Sequence, residues 1–158
     1  MTRLYPKSPN HQIPKSSIPP NPQSPKTAKQ LNEQVAGLLN FNSELHGMMD
    51  TICSDGSTLP PMPDAMRKPE HLIHGCLSTT YFVAQQDEQG RLRIYGESNS
   101  SVLRGVISEM HYILDAQPAA TTNADDITWH RDTGLMDHLT PQRQAAVTQM
   151  LQRIRAAL

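Results

Sequence analysis

LSTTYFVAQQDEQGRLRIYG, residues 77–96, is where the hydrophobic period of this chain changes from helical to two. Leu77, Thr79, Tyr81 and Val83 alternate, and Leu92 and Ile94 answer them across Asp87-Glu88-Gln89-Gly90. A glycine closing a four-residue turn supplies a left-handed residue without steric cost, so the spacing predicts a β-hairpin. Gly96 is read as the end of its second strand.

Upstream, the period is helical. Thr27 with Gln30 three residues on has the pattern of a capping box, and Leu31, Val35, Leu38 and Leu39 follow at helical spacing. Asn40-Phe41-Asn42 is read as an interruption. Ser43 is read as the cap of a second helix that presents Leu45, Met48, Met49 and Ile52 and stops at Asp55-Gly56. Pro60, Pro61 and Pro63 exclude regular structure, and a polar stretch from Asp64 to Glu70 leads into His71-Leu72-Ile73-His74-Gly75-Cys76.

Downstream, Val102, Val106, Met110 and Ile113, with Leu103, Ile107 and Leu114 alongside, predict a long helix from Ser101 that ends before Pro118. A polar connection from Ala119 to Asp125 and a short element around Ile127 to Leu139 come next. Thr140-Pro141 then reads as an N-cap followed by proline at the first helical position, opening a last helix with Val147, Met150, Leu151 and Ile154. Helices, a hairpin and helices again make an α+β domain over residues 27–158, its helices packed on one face of a small antiparallel sheet.

Residues 1–26 differ from the rest. They hold seven of the 13 prolines and four basic residues, Arg3, Lys7, Lys15 and Lys26, with no acid. Proline removes backbone donors and favours extended conformations, so a disordered, partly polyproline II arm is expected. A passive tail and a docking segment are both open readings, whereas an amphipathic presequence helix is opposed by the prolines. Residues 27–158 then carry 10 basic against 15 acidic groups, and the whole chain has a formal net charge of −1. No global electrostatic case for nucleic-acid binding follows, and no apolar run has the length of a membrane span. Two cysteines, Cys53 and Cys76, are too few for a disulfide scaffold or a zinc finger, so a reducing cytoplasm is the expected location.

Cys76 follows a glycine at the point where an irregular segment enters a strand, among His74, Ser78 and Thr79. A thiol so placed can be presented to a partner, with Gly75 letting the backbone turn or approach closely. An ordinary cysteine is only a few per cent thiolate at pH ~7, and Arg67, Lys68 or a protonated His74 are candidate cations to raise that fraction. A small, inert, half-buried cysteine is the competing reading. Cys53, at a helix end beside Ile52, reads as structural filler, and a Cys53–Cys76 disulfide is not required by the spacing. His71, His74 and Cys76 match no structural-zinc spacing. A cysteine-hydrolase arrangement would need Cys76 with His138 or His130 and an acid such as Asp137, plus an oxyanion hole that the sequence does not display. Trp129 and the helically spaced methionines read as core.

His74-Gly75-Cys76-Leu77-Ser78, with Tyr81 and the hairpin behind it, resembles the Gly-Cys-x-Ser core of the SufE/CsdE family of sulfur acceptors. Gly96-Glu97-Ser98-Asn99 leading to Val102-Leu103-Arg104-Gly105 resembles that family's second block. Gly134-Leu135, His138-Leu139-Thr140-Pro141-x-Arg143 and Ile154-Arg155-Ala156 resemble its third. The three blocks cover about residues 60–158 in the family's order. The resemblance implies a SufE/IscU-like fold and a sulfur carrier and desulfurase activator rather than a free-standing enzyme. Cys76 would accept persulfide sulfur, with His74, Gly75, Ser78 and Arg143 as supporting motif residues. The implied partners are a cysteine desulfurase of the SufS/CsdA type, which uses pyridoxal phosphate, and a downstream iron–sulfur scaffold or other acceptor. The chain itself would hold no cofactor or metal and act as a monomer or weak homodimer. An iron–sulfur scaffold sharing a cluster across a dimer and a non-catalytic desulfurase regulator are the alternatives.

Overall fold

The computed structural model describes residues 25–45 and 47–158, without the side chains of 43–45. The arm expected over 1–26 therefore lies outside the described residues, apart from Pro25 and Lys26. The first helix, α1 (Ala28–Leu45), opens on the expected reciprocal cap. Thr27 N–H donates to Gln30 Oε1 at 2.9 Å, and Gln30 N–H donates to Thr27 Oγ1 at 3.2 Å.

The interruption expected at Asn40–Asn42 does not occur, because α1 runs on to Leu45. Asn and Phe cost only about half a kcal/mol each against alanine in a helix, a penalty that tertiary packing overrides. Leu31, Val35 and Leu39 supply that packing. The break falls instead at Gly47, at φ 84°, and α2 (Met48–Asp55) begins there rather than at a Ser43 cap. It ends at Asp55-Gly56 as expected.

The hairpin is formed by β1 (Thr80–Gln86) and β2 (Leu92–Ser98), antiparallel, with Thr80 opposite Ser98, Phe82 opposite Gly96 and Ala84 opposite Ile94. Its turn is closed by Asp87, whose carboxylate accepts from the N–H groups of Gln89 and Arg91, and by Gly90 at φ 75°. The N–H of Arg91 is the main reason the Asp87 carboxyl sits below its ordinary pKa.

Two expectations about the hairpin are corrected. The core side of β1 carries Thr80, Phe82 and Ala84, not Leu77, Thr79, Tyr81 and Val83, and Leu77 lies outside the strand and is 90% exposed. Val83 is buried as well, but outside the main cluster. A shift of one residue exchanges the two faces of a strand, and the contiguous run Thr79–Ala84 satisfies either register. Nor does β2 stop at Gly96. It continues to Ser98, with Gly96 facing a crossing helix so closely that a Cβ there would lie 2.5 Å from Ile107 Cγ2.

That crossing helix is α3 (Ser101–Leu114), capped by Ser100 Oγ, which accepts from Leu103 N–H at 3.3 Å. Its residues from Gly105 to Leu114 are all buried, because the hairpin covers one side and α1 and α2 the other. Gly105 permits the α2 contact, since a Cβ would fall 2.1 Å from Ile52 O. Downstream come α4 (Trp129–Asp132) and α5 (Pro141–Ala157), the latter opened by Thr140 Oγ1 accepting from Arg143 N–H at 3.3 Å. Asn32 of α1 supplies the start of α4: its Oδ1 accepts from the N–H groups of Thr128 and Trp129 at 2.9 and 2.8 Å. Among the described residues, five α-helices pack against a two-stranded antiparallel sheet, the expected α+β class.

His130 on α4 is buried, and burial, aided by Arg131 and opposed by Asp132, pushes its pKa down to about 4. The unfolded chain therefore binds a proton that the folded chain refuses between about pH 6.5 and 4. Stability tied to this group is present above pH 6.5 and is lost as pH falls through 4, by about 3 kcal/mol in total. Urea unfolding at pH 7 and pH 4.5 is expected to show that loss in the wild type and a smaller one in His130→Gln.

Candidate functional site

Residues 71–79 form an irregular segment beside β1, and such a segment leaves backbone groups that need partners from elsewhere. Some come from the sheet. Ile73 N–H donates to Thr80 O at 2.8 Å, Leu72 bridges to Tyr81, and Asn99 clasps Thr79 through its N–H and Oδ1. Others come from α5. Arg153 Nη1 donates to the carbonyls of His71 at 2.9 Å and Phe82 at 2.6 Å, and its Nη2 donates to Leu72 O at 2.7 Å. One turn earlier, Gln149 accepts from His74 N–H at 3.0 Å and donates to His74 O at 2.7 Å. One helix face thus holds the segment from His71 to His74.

Beyond this clamp the chain turns at Gly75, at φ 74°, a left-handed conformation that costs other residues about 1–2 kcal/mol. A Cβ there would touch nothing within 4 Å, so it is the backbone conformation, not crowding, that asks for glycine. Cys76 follows, half-buried and free. It faces a cleft of about 190 Å³ lined by Cys76, Leu77, Ser78, Thr140, Gln142 and Arg143. The wall opposite the sulfur is therefore the N-terminal turn of α5, where the helix dipole and the first backbone N–H groups favour a negative charge.

The Cys76 Sγ lies 2.9 Å from Ser78 Oγ. Ser78 Oγ in turn lies 3.1 Å from Thr80 Oγ1, which lies 2.8 Å from Ser98 Oγ. Ser98 Oγ accepts from Ser100 N–H at 3.0 Å, at the start of α3. Four side chains are thus linked from the cleft into the buried end of the hairpin.

The structure brings Cys76, Ser78 and Arg143 to one cleft and places Gly75 at its hinge. His74 contributes its backbone, held by Gln149, while its side chain is exposed. Arg67, one of the cations considered for the thiol, is engaged elsewhere. It bonds Glu97 at 2.8–3.1 Å and also Asp64; the Glu97 bonds, then the Asp64 bond, raise the Arg67 pKa, and the Arg67 guanidinium holds the Glu97 carboxyl below its ordinary range. Neither His130 nor His138 lines the cleft, so the residues of a cysteine hydrolase are not assembled around Cys76. Cys53 does not line it either. Gln149, Arg153 and Thr80 escaped the sequence reading, and Ser98 entered it only as part of the second motif block. Their only other trace is the four-residue spacing of Gln149 and Arg153 on one face of α5 and the hydroxyl-rich ends of the two strands.

Residues 33–158 match the family model described as "SufE: Fe-S metabolism associated domain". Among solved structures, the chain is similar to a hypothetical protein from Thermus thermophilus determined in solution, with a TM-score of 0.59 and 18% identity. That likeness covers 80% of this chain and 95% of the other, and it concerns the fold.

The clamp has a direct test. Replacing Arg153 with Gln removes charged donors from three carbonyls, and exchange of the Ile73 amide is expected to accelerate at least about tenfold, the equivalent of ~1.4 kcal/mol. Hydrogen–deuterium exchange resolved at residues 72–80 reads this, with amides in the middle of α3 as the internal reference.

Proposed function

The chain belongs to the SufE family of Fe–S metabolism associated domains, and from that premise we propose that Cys76 accepts sulfur from the persulfide of a cysteine desulfurase. The observation that carries the reading is the position of Cys76: a half-buried free thiol at a cleft whose far wall is a helix N-terminus with Arg143 beside it. A persulfide held by a donor protein has the form R–S–SH, and its outer sulfur is the one to be moved. The Cys76 thiolate attacks that sulfur, forming a new S–S bond on Cys76 as the donor's S–S bond breaks. The products are Cys76–S–SH and the donor thiolate R–S⁻, with the proton retained on the transferred sulfur. Release is the same exchange in reverse order: a second acceptor thiolate takes the outer sulfur and Cys76 leaves as its thiolate. No external oxidant or reductant enters either step.

The protein's part is to place and present the sulfur. The α5 clamp holds the segment up to His74, and beyond the left-handed Gly75 come the half-buried Cys76 and the exposed Leu77. A persulfide is easily oxidised, and partial cover by the α5 wall limits its contact with solvent. Both cysteines are free thiols, which suits a reducing cytoplasm. A downstream scaffold or other acceptor takes the sulfur onward for iron–sulfur cluster assembly. The scaffold alternative requires several cluster ligands on one surface, and the residues lining this cleft supply one thiol with no imidazole or carboxylate.

Incubation with a pyridoxal-phosphate cysteine desulfurase and free cysteine, followed by intact-mass analysis, tests the proposal. The wild type is expected to gain about 32 Da per sulfur, removable by reductant, and Cys76→Ser to gain none. Equal gain in Cys76→Ser contradicts it.

A further inference from the structure

The four linked side chains that end at Cys76 have a direction. Ser98 Oγ meets two partners: it accepts from the backbone N–H of Ser100 and faces Thr80 Oγ1. Ser98 is 5% exposed and Thr80 is fully buried. A buried hydroxyl proton needs an acceptor, and the acceptor in reach of the Ser98 proton is Thr80 Oγ1. Thr80 Oγ1, having accepted, is left with its own proton for Ser78 Oγ at 3.1 Å, and the half-buried Ser78 is then able to donate to Cys76 Sγ at 2.9 Å. The opposite direction would make Ser98 Oγ accept twice and leave its proton buried without a partner. One backbone N–H at the start of α3 therefore orients the hydroxyls in turn, and the last of them is able to donate to the sulfur.

A sulfur that receives a hydrogen bond is stabilised more as a thiolate than as a thiol, because a charged acceptor binds a donor more strongly. We propose that Thr80 and Ser98 are positioning residues for Cys76: they orient the Ser78 hydroxyl as a donor to Sγ. This rests on the assignment of Cys76 as the sulfur acceptor and extends it. The same donor acts twice in that chemistry, first on the attacking thiolate and then on the thiolate that leaves when sulfur is passed on. The charged or titratable groups around the site are Arg143 from α5 and His74 on the loop itself. β2 contributes Glu97, which is turned to Arg67, and α3 begins at the uncharged Ser101. All are retained in the variants below.

Alkylation of Cys76 by iodoacetamide in the isolated protein, followed on its own peptide, is the test. The readout is the ratio of the rate at pH 10 to the rate at pH 7, in which the intrinsic nucleophilicity of the thiolate cancels. Thr80→Val keeps the shape and strand preference but removes the relay, and its ratio is expected to rise about fivefold over wild type. Thr80→Ser restores the hydroxyl and is expected to restore the ratio. The double variant Thr80→Val/Ser98→Ala removes both hydroxyls of the buried pair together with the acceptor of Ser100 N–H, and its ratio is expected to stay as high as that of Thr80→Val. Cys53, in the same samples, is expected to show no change. An unchanged ratio in Thr80→Val overturns the relay, as does an equal slowing at both pH values or a failure of Thr80→Ser to rescue. Because no desulfurase is present, these results are independent of whether Cys76 takes up sulfur.

Discussion

The site depends on Arg153. Its guanidinium reaches carbonyls of His71, Leu72 and Phe82, residues 82, 81 and 71 positions away in sequence, and ties the last helix to both the irregular segment and β1. Burial draws the pKa of this arginine down, yet arginine stays charged under all ordinary conditions, so three strong acceptors keep a permanent donor. Without it, the carbonyls of His71 and Leu72 would have to find water, and the cleft between Cys76 and the start of α5 would lose one wall.

From that tie the rest of the geometry follows. Gln149 extends the grip by one turn to His74, and Gly75 then releases the chain from it by adopting a conformation that other residues avoid. The fixed part ends one residue before the thiol. Opposite, Thr140 caps α5 and Pro141 starts it, which sets the helix terminus where the cleft needs it. Behind the thiol, the close approach of Gly96 to Ile107 seats the hairpin on α3, and Ser98, two residues on, accepts from Ser100 N–H.

Features governed by neighbours in sequence were legible in it. The Thr27/Gln30 box, the Gly90 turn, the Thr140-Pro141 start and the length of α3 depend on contacts within four residues, and all four stand in the structure. The end of α1 was misplaced because Asn40–Asn42 looked weak in isolation, whereas Gly47 carries the break. The face of β1 is left open by its own residues, because Thr79 to Ala84 can serve either register and packing against the rest of the fold makes the choice. Cys76, Ser78 and Arg143 were visible through their motifs. The clamp was not, since it joins residues more than 70 positions apart, and the hydroxyl chain was not, since its Thr80–Ser98 link needs the register of the folded hairpin.

The central claim, that Cys76 itself takes the sulfur, is most directly tested in a single turnover. A desulfurase loaded beforehand with one persulfide per site and freed of cysteine is mixed with an equal amount of this protein, alkylated within seconds and digested. The account predicts that the extra sulfur disappears from the desulfurase cysteine and is found on the peptide containing Cys76. Retention on the desulfurase, or arrival on the Cys53 peptide instead, contradicts it.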